Sequence, residues 1–111
     1  MPTADERYDA AIALQQSGKL AEAVAELERL AADEPQFALA HSALSVFYSR
    51  LQRHDDAVAE AQKVCELEPD DPFSFMSMSI ICQKAGRIAE AEAAMSQAVE
   101  KQWAARRRFT A

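Results

Sequence analysis

The chain repeats its pattern of small and apolar residues at a fixed spacing of 34 positions. When the sequence is shifted against itself by that distance, three columns stand out, namely Ala23, Ala57 and Ala91; Gly18, Gln52 and Gly86; and Leu14, Tyr48 and Cys82. A period of this length is typical of two-helix units that stack, because one unit alone cannot bury its hydrophobic side. We therefore predict an all-α protein built from three helical hairpins, with six helices in total.

Capping and turn residues predict where these helices begin and end. Thr3 and Glu6 have the spacing of a capping box, and Asp71-Pro72 reads as an N-cap followed by proline at the first helical position. Gly18 ends the first helix, and Asp55 is predicted to be the N-cap of the fourth. The predicted helices cover residues 4–16, 20–32, 37–51, 56–67 and 72–84, with a last helix from 88 through Trp103 toward Arg107.

The aligned columns resemble the tetratricopeptide repeat family. The residues that carry the resemblance are the small eighth position (Ala11, Ser45, Ser79), the aromatic eleventh (Tyr48), the turn glycines (Gly18, Gly86) and the alanine column (Ala23, Ala57, Ala91). The chain departs from the family at the fourth position, often Trp, which holds Arg7, His41 and Phe75, and at Trp103, which replaces the final proline. The resemblance implies a right-handed α-solenoid forming one domain over 1–111, with repeats at 4–37, 38–71 and 72–105 and a short basic C-terminal extension at 106–111.

In that family the first helices of successive repeats line a concave surface on which ligands usually lie. The resemblance therefore implies a peptide-binding groove lined by Tyr8, Ile12, Leu39, Val46, Phe73, Met76 and Ile80. Apolar side chains that packing does not require indicate a docking surface for an apolar or amphipathic segment of another protein. The alternative is that some of these side chains fill the space between neighbouring helices.

One well-known subtype of the family holds the C-terminus of a chaperone in a carboxylate clamp of Lys, Asn and Arg side chains. At the corresponding positions this chain has Tyr8, Ile12, Ala43, Phe73 and Ser77. None of these carries the cation that would pair with a carboxylate. We therefore do not expect that mode of binding.

The end of the last hairpin offers a second candidate surface. A repeat array usually finishes with a polar helix, because its last unit otherwise leaves a packing side bare. Here Met95, Trp103 and Phe109 are candidate contacts, and they either fold back as a cap or dock on a second copy. The alternative function is accordingly a structural protein that oligomerises through this end.

Charge argues against nucleic acid as a partner. The formal net charge is −6, and residues 1–100 carry all 18 acidic residues but only eight of the 12 Lys and Arg. Phosphate binding requires a basic footprint, which this acidic body lacks. Since the N-terminus has no signal-peptide pattern and no apolar run of about 18 residues occurs, we expect a cytoplasmic protein with no membrane span.

The same residues give no sign of an enzyme. The two glycines both lie at predicted turns, so no phosphate-binding loop is available, and no nucleophile has a neighbouring base in a known motif. Cys65 and Cys82 lie at packing positions and are predicted to be buried free thiols, while neither His41 nor His54 is expected to bind a ligand. We predict no cofactor, no metal and a non-catalytic interaction module, an adaptor, scaffold or chaperone-like protein.

Overall fold

The computed structural model describes the backbone of residues 1–110 and the side chains of residues 1–109. The described part of the chain forms six α-helices and no strand: α1 (Ala4–Gln16), α2 (Leu20–Asp33), α3 (Ala38–Arg50), α4 (His54–Leu67), α5 (Pro72–Lys84) and α6 (Ile88–Thr110). They pair as the hairpins α1–α2, α3–α4 and α5–α6, and α2 packs on α3 as α4 packs on α5. This confirms the predicted all-α stack, which measures 44 × 33 × 22 Å.

The turn within each hairpin has the same backbone geometry. The second residue after the first helix has a positive φ in all three turns, 81° at Gly18, 62° at Gln52 and 77° at Gly86. The N–H of the next residue then donates to a carbonyl four residues before that turn residue, as from Arg53 to Tyr48 at 2.8 Å. Gln52 adopts this left-handed conformation although the conformation favours glycine. The packing of the hairpin therefore sets the turn geometry.

The prediction that Asp55 is the N-cap of the fourth helix is wrong. Helix α4 begins at His54, and Arg53 occupies the cap with no side-chain hydrogen bond to the helix. Lys19 does the same at the start of α2, so the shared turn fixes the helix start in both hairpins. The capping box of Thr3 and the cap formed by Asp71 are confirmed, and the Asp71 side chain accepts from the N–H of Phe73 at 3.0 Å.

Small residues allow the two helices of each hairpin to approach closely. The aligned Ala23, Ala57 and Ala91 are all buried, and the buried Ser79 hydroxyl donates to the carbonyl of Ala91 at 2.8 Å. Because the alanine side chain is small, the two helix axes of a hairpin can lie close together. The larger side chains such as Leu27 can then fill the space between hairpins. The core is therefore continuous from α1 to α6.

Helix α6 is much longer than the others, with 23 residues. The predicted basic extension is its last part and not a separate segment, and Ala111 lies outside the described residues. Trp103 stands where Pro35 and Pro69 end the earlier hairpins, and the alanines and arginines that follow favour helix. Basic residues in the last turn also interact favourably with the helix dipole.

Candidate functional site

The exposed side of α1, α3 and α5, which we call the first-helix face, carries the seven predicted groove residues. Four of them are exposed to solvent: Leu39 (48%), Val46 (39%), Phe73 (68%) and Ile80 (50%). Large apolar side chains with this exposure contribute little to the core. Packing of the core therefore does not explain why these four positions are apolar. A role in binding stays a prediction, because the structure holds no ligand that tests it.

The remaining three predicted groove residues are half-buried and also support the stack. Tyr8 meets Phe37 edge to face, with ring centroids 6.3 Å apart, and Tyr8 and Ile12 pack against the core. Met76 is likewise half-buried. Such side chains join the core to the exposed residues, and mutating them would change stability together with any binding.

One end of the first-helix face is a pocket whose lining combines apolar and polar residues. Leu39 and Phe73, which occupy equivalent positions in α3 and α5, line it together with Ser42 and Ser77, and its volume is about 170 Å³. Phe73 follows directly after the Asp71-Pro72 cap, so the start of α5 fixes where its ring is placed. The pocket is large enough for one apolar side chain of a partner.

The other end of the face is polar and basic. Ser49, Arg50, Gln52, His54 and Lys84 line a pocket of about 330 Å³ where α3 and α5 end. Arg50 also lies over the ring of Phe47, with its guanidinium carbon 5.4 Å from the ring centroid. The structure brings Arg50 and Lys84 together at one end of the face.

Buried polar groups hold this face in place from behind. His41 is buried, with Nδ1 2.6 Å from Glu60 Oε2 and Nε2 2.8 Å from the carbonyl oxygen of Pro35. Both neighbours are hydrogen-bond acceptors, and each lies within hydrogen-bond distance of one ring nitrogen. His41 thereby fixes α3 against α4 and against the loop that precedes α3.

Tyr48 connects two hairpins. Its hydroxyl donates to Glu28 Oε2 at 2.6 Å, and Arg53 lies 4.3 Å above the centre of its ring. Burial raises the pKa of Tyr48 above its ordinary value, and the hydrogen bond to Glu28 raises it further. The tyrosine therefore remains a neutral donor and acts as a structural tie between α2 and α3.

A third cavity, of about 420 Å³, opens between α4 and α6 and was not predicted from the sequence. Phe75 and Met78 lie among its lining residues together with Cys65, Glu66 and Glu90. Both cysteines are free, as predicted, although Cys65 is only half-buried. Burial raises the pKa of the Cys65 thiol to about 11 and also raises that of Cys82, so neither is an activated nucleophile.

The three residues predicted at the C-terminal end are exposed on α6. Met95 and Trp103 are partly exposed, and Phe109 is 91% exposed. Helix α6 is continuous to Thr110, and Trp103 and Phe109 lie on it with exposed side chains. Both roles proposed for this end, a cap and a contact with a second copy, stay predictions.

Among the described residues, no group of three or more His, Cys, Asp or Glu side chains is arranged to hold a metal ion. Within the same residues, no helix has the length and apolar character that crossing a membrane requires.

Comparisons with known proteins agree with this architecture. A profile of the tetratricopeptide repeat family matches residues 8–72. A search of curated protein sequences gave no match.

Several solved structures superpose on the chain. A crystal structure of MamA has a TM-score of 0.84 and 22% identity over 95% of this chain and 61% of its own length. The second repeat domain of Spaghetti (RPAP3), bound to the HSP90 peptide SRMEEVD, has a TM-score of 0.76 and 18% identity over 86% and 89%. The type III secretion translocator chaperone SycD of Yersinia enterocolitica has a TM-score of 0.79 and 20% identity over 89% and 75%. At these identities the likeness establishes the fold alone, and the chain spans about three fifths of the length of the MamA structure.

Proposed function

Because the chain belongs to the tetratricopeptide repeat family, we propose that it is a non-catalytic protein–protein interaction module, an adaptor or chaperone-like protein that binds a peptide segment on its first-helix face. The observation that carries this proposal is the exposure of Leu39, Phe73 and Ile80 on that face. Exposed apolar side chains that the core does not use mark interaction surfaces in monomeric proteins. The likeness to the chaperone SycD is one of fold and provides a structural parallel for the chaperone-like form of the proposal.

The two ends of the face indicate the chemistry of the partner. The pocket at Leu39 and Phe73 suits an apolar anchor, whereas Arg50 and Lys84 at the other end suit a carboxylate. Leu39 and Arg50 are eleven residues apart on α3, which corresponds to about 16 Å along the helix axis. An extended peptide spans this distance in about five residues. The proposed ligand is therefore an amphipathic segment with an apolar anchor about five residues from an acidic one.

The likeness to the RPAP3 domain does not transfer its HSP90 peptide to this chain. The positions that would form a carboxylate clamp hold Tyr8, Ile12, Ala43, Phe73 and Ser77, none of which is a cation. The cations Arg50 and Lys84 lie instead at the ends of α3 and α5. The proposed site thus binds its partner chiefly through apolar contacts, and the acidic group of the partner orients the bound segment.

An array of fluorescent peptides tests this proposal. The peptides carry a Leu or Phe anchor, with either Glu or Lys about five positions away, so that each pair differs only in the sign of one charge. We expect micromolar binding of the Glu peptides, and Ile80→Asp should weaken it at least about tenfold, since it introduces a charge among apolar contacts. Fluorescence anisotropy measures the affinity.

Ile88→Asp is the matched control, because Ile88 is as exposed as Ile80 but lies at the start of α6. The control should bind as the wild-type chain does, and circular dichroism should show equal helical content for both variants. Equal affinity of the Ile80→Asp and wild-type chains would show that the first-helix face is not the binding site. Equal affinity for Glu and Lys peptides would refute the proposed role of Arg50 and Lys84.

A further inference from the structure

One side of α6 carries a row of residues that we call the α6 stripe: Ile88, Glu92, Met95, Val99, Trp103 and Arg106. Their spacings of three and four residues place them in line along one side of a helix. Ala91, Ala94 and Ala98, which pack into the core, occupy a different side. All six members of the stripe are exposed.

The corresponding side of the earlier second helices is covered by the next hairpin. At the position of Met95 (38% exposed), the first two hairpins have Leu27 (0%) and Ala61 (2%). At the position of Val99 the second hairpin has Cys65, whose thiol donates to the carbonyl of Ser74 in α5 at 3.4 Å. The α6 stripe therefore lies on the side through which these hairpins pack, and in this structure nothing covers it.

Glu92 indicates what kind of partner suits this surface. The first two hairpins have Val24 and Val58 at this position, and both are buried when the next hairpin packs on them. A further hairpin of the same kind would bury the carboxylate of Glu92 against apolar atoms, which is costly without a cation. The partner must therefore supply apolar side chains together with a positive charge opposite Glu92.

The stripe itself supplies that pattern, because it is symmetric about Val99. Met95 and Trp103 lie four residues on either side of Val99, and Glu92 and Arg106 lie seven residues on either side. If two copies of α6 pair antiparallel about a two-fold axis at Val99, each Met95 meets the Trp103 of the partner subunit. Each Glu92 then meets the Arg106 of the partner subunit.

We propose that the α6 stripe is a homodimerisation surface, with two copies of α6 antiparallel and related by a two-fold axis at Val99. A two-fold contact requires a surface that is complementary to itself, which this register provides for both apolar and charged residues. The basic end of α6 (Arg106–Arg108) then lies near the acidic start of the partner's helix, which contains Glu90 and Glu92. The side chain of Arg106 already lies over the Trp103 ring, 5.5 Å from its centroid, so its charge is placed at the contact.

Charge exchange tests the register. Glu92→Arg places two arginines opposite each other, and Arg106→Glu places two glutamates opposite each other, so each variant should weaken dimerisation at least about tenfold. The double variant Glu92→Arg/Arg106→Glu restores opposite charges and should return to within about threefold of the wild-type affinity. Sedimentation equilibrium of the 111-residue chain measures the dissociation constant.

Crosslinking tests the position of the axis. Val99→Cys should give a covalent dimer with a short bis-maleimide, since packed helix axes lie about 8–10 Å apart. Gln97→Cys is the matched control, because Gln97 is exposed on α6 but points away from the stripe, and it should remain monomeric on gels. The same reaction with the wild-type chain measures the background crosslinking through Cys65 and Cys82.

Two outcomes would overturn this proposal: a wild-type chain that stays monomeric up to millimolar concentration, or a dimer whose affinity the double charge exchange does not rescue. If another occupant binds the α6 stripe in preference to a second copy, the wild-type chain stays monomeric. Ile80→Asp should leave dimerisation unchanged, whereas Val99→Asp should abolish dimerisation and leave peptide binding on the first-helix face unchanged. Failure of the dimer is thereby distinguished from failure of the proposed function.

Discussion

Gln52 has a φ of 62° at the turn position that Gly18 and Gly86 occupy in the other two hairpins. A left-handed conformation costs a residue with a Cβ atom about 1–2 kcal/mol. Replacing Gln52 by glycine removes this strain, but the added freedom of the unfolded chain offsets about 0.4–1 kcal/mol of the gain. The hydrogen bond that Gln52 Oε1 accepts from His54 Nε2 is exposed and 3.2 Å long, so its loss costs little.

Gln52→Gly should therefore stabilise the protein by about 0.5–1 kcal/mol, which corresponds to a rise in Tm of about 2–6 °C for a domain of this size. Gly18→Ala should have the opposite effect of similar size, because a Cβ atom built there meets nothing within 4 Å and only backbone strain is added. Thermal and urea unfolding followed by circular dichroism measure both changes.

Gln52→Ala separates the backbone effect from the loss of the side chain. It removes the contact with His54 but keeps the strain, so its Tm should lie at or below that of the wild-type chain. If Gln52→Gly is no more stable than Gln52→Ala, the turn strain is not the cause and this reasoning fails. The same conclusion follows if Gly18→Ala leaves the free energy of unfolding unchanged.

Buried polar groups and the Cys65 thiol give four further predictions. His41→Phe, which copies the residue of the third hairpin, should lower the free energy of unfolding by about 1–3 kcal/mol because Glu60 loses its partner; an unchanged urea midpoint would contradict this. Tyr48→Phe should cost about 1 kcal/mol through loss of the bond to Glu28, and a double-mutant cycle with Glu28→Gln should show coupling between the two side chains. Because the pKa of Cys65 is raised to about 11 in the folded chain, its reaction with a disulfide reagent at pH 8 should be slow and should become fast on unfolding. The same shift favours the neutral Cys65 thiol in the folded state. The stabilising contribution of this thiol should be present below the unfolded pKa and be lost as pH rises toward 11. Unfolding curves at pH 8 and pH 11 measure this loss.

Most of the fold was predictable because the 34-residue period repeats local signals that act over a few residues. The capping box at Thr3 and the cap at Asp71 depend only on neighbouring backbone groups, and both form as predicted. The start of α4 was not predictable from such signals. There, the packing of α3 on α4 requires the same turn as in the other hairpins, and this outweighs the capping preference of Asp55.

The candidate site divides in a similar way. The positions of Leu39, Phe73 and Ile80 on the first helices follow from the repeat register, and their exposure in the structure leaves them available as the proposed site. The grouping of Arg50 with Lys84, and of Cys65 with Phe75 and Met78 around the cavity between α4 and α6, appears only when the hairpins are stacked. These side chains are far apart in sequence, so no local pattern connects them.

The amino-acid sequence by itself determined the number of hairpins, the ends of most helices and the residues that line each side, since periodicity and capping are properties of short segments. Only the tertiary structure decided which of those sides remain uncovered. Met95 lies at the same repeat position as the buried Leu27, and the difference in their exposure comes from the neighbour that packs on one and is missing from the other. Burial depends on what surrounds a helix, and a repeat position alone does not specify it.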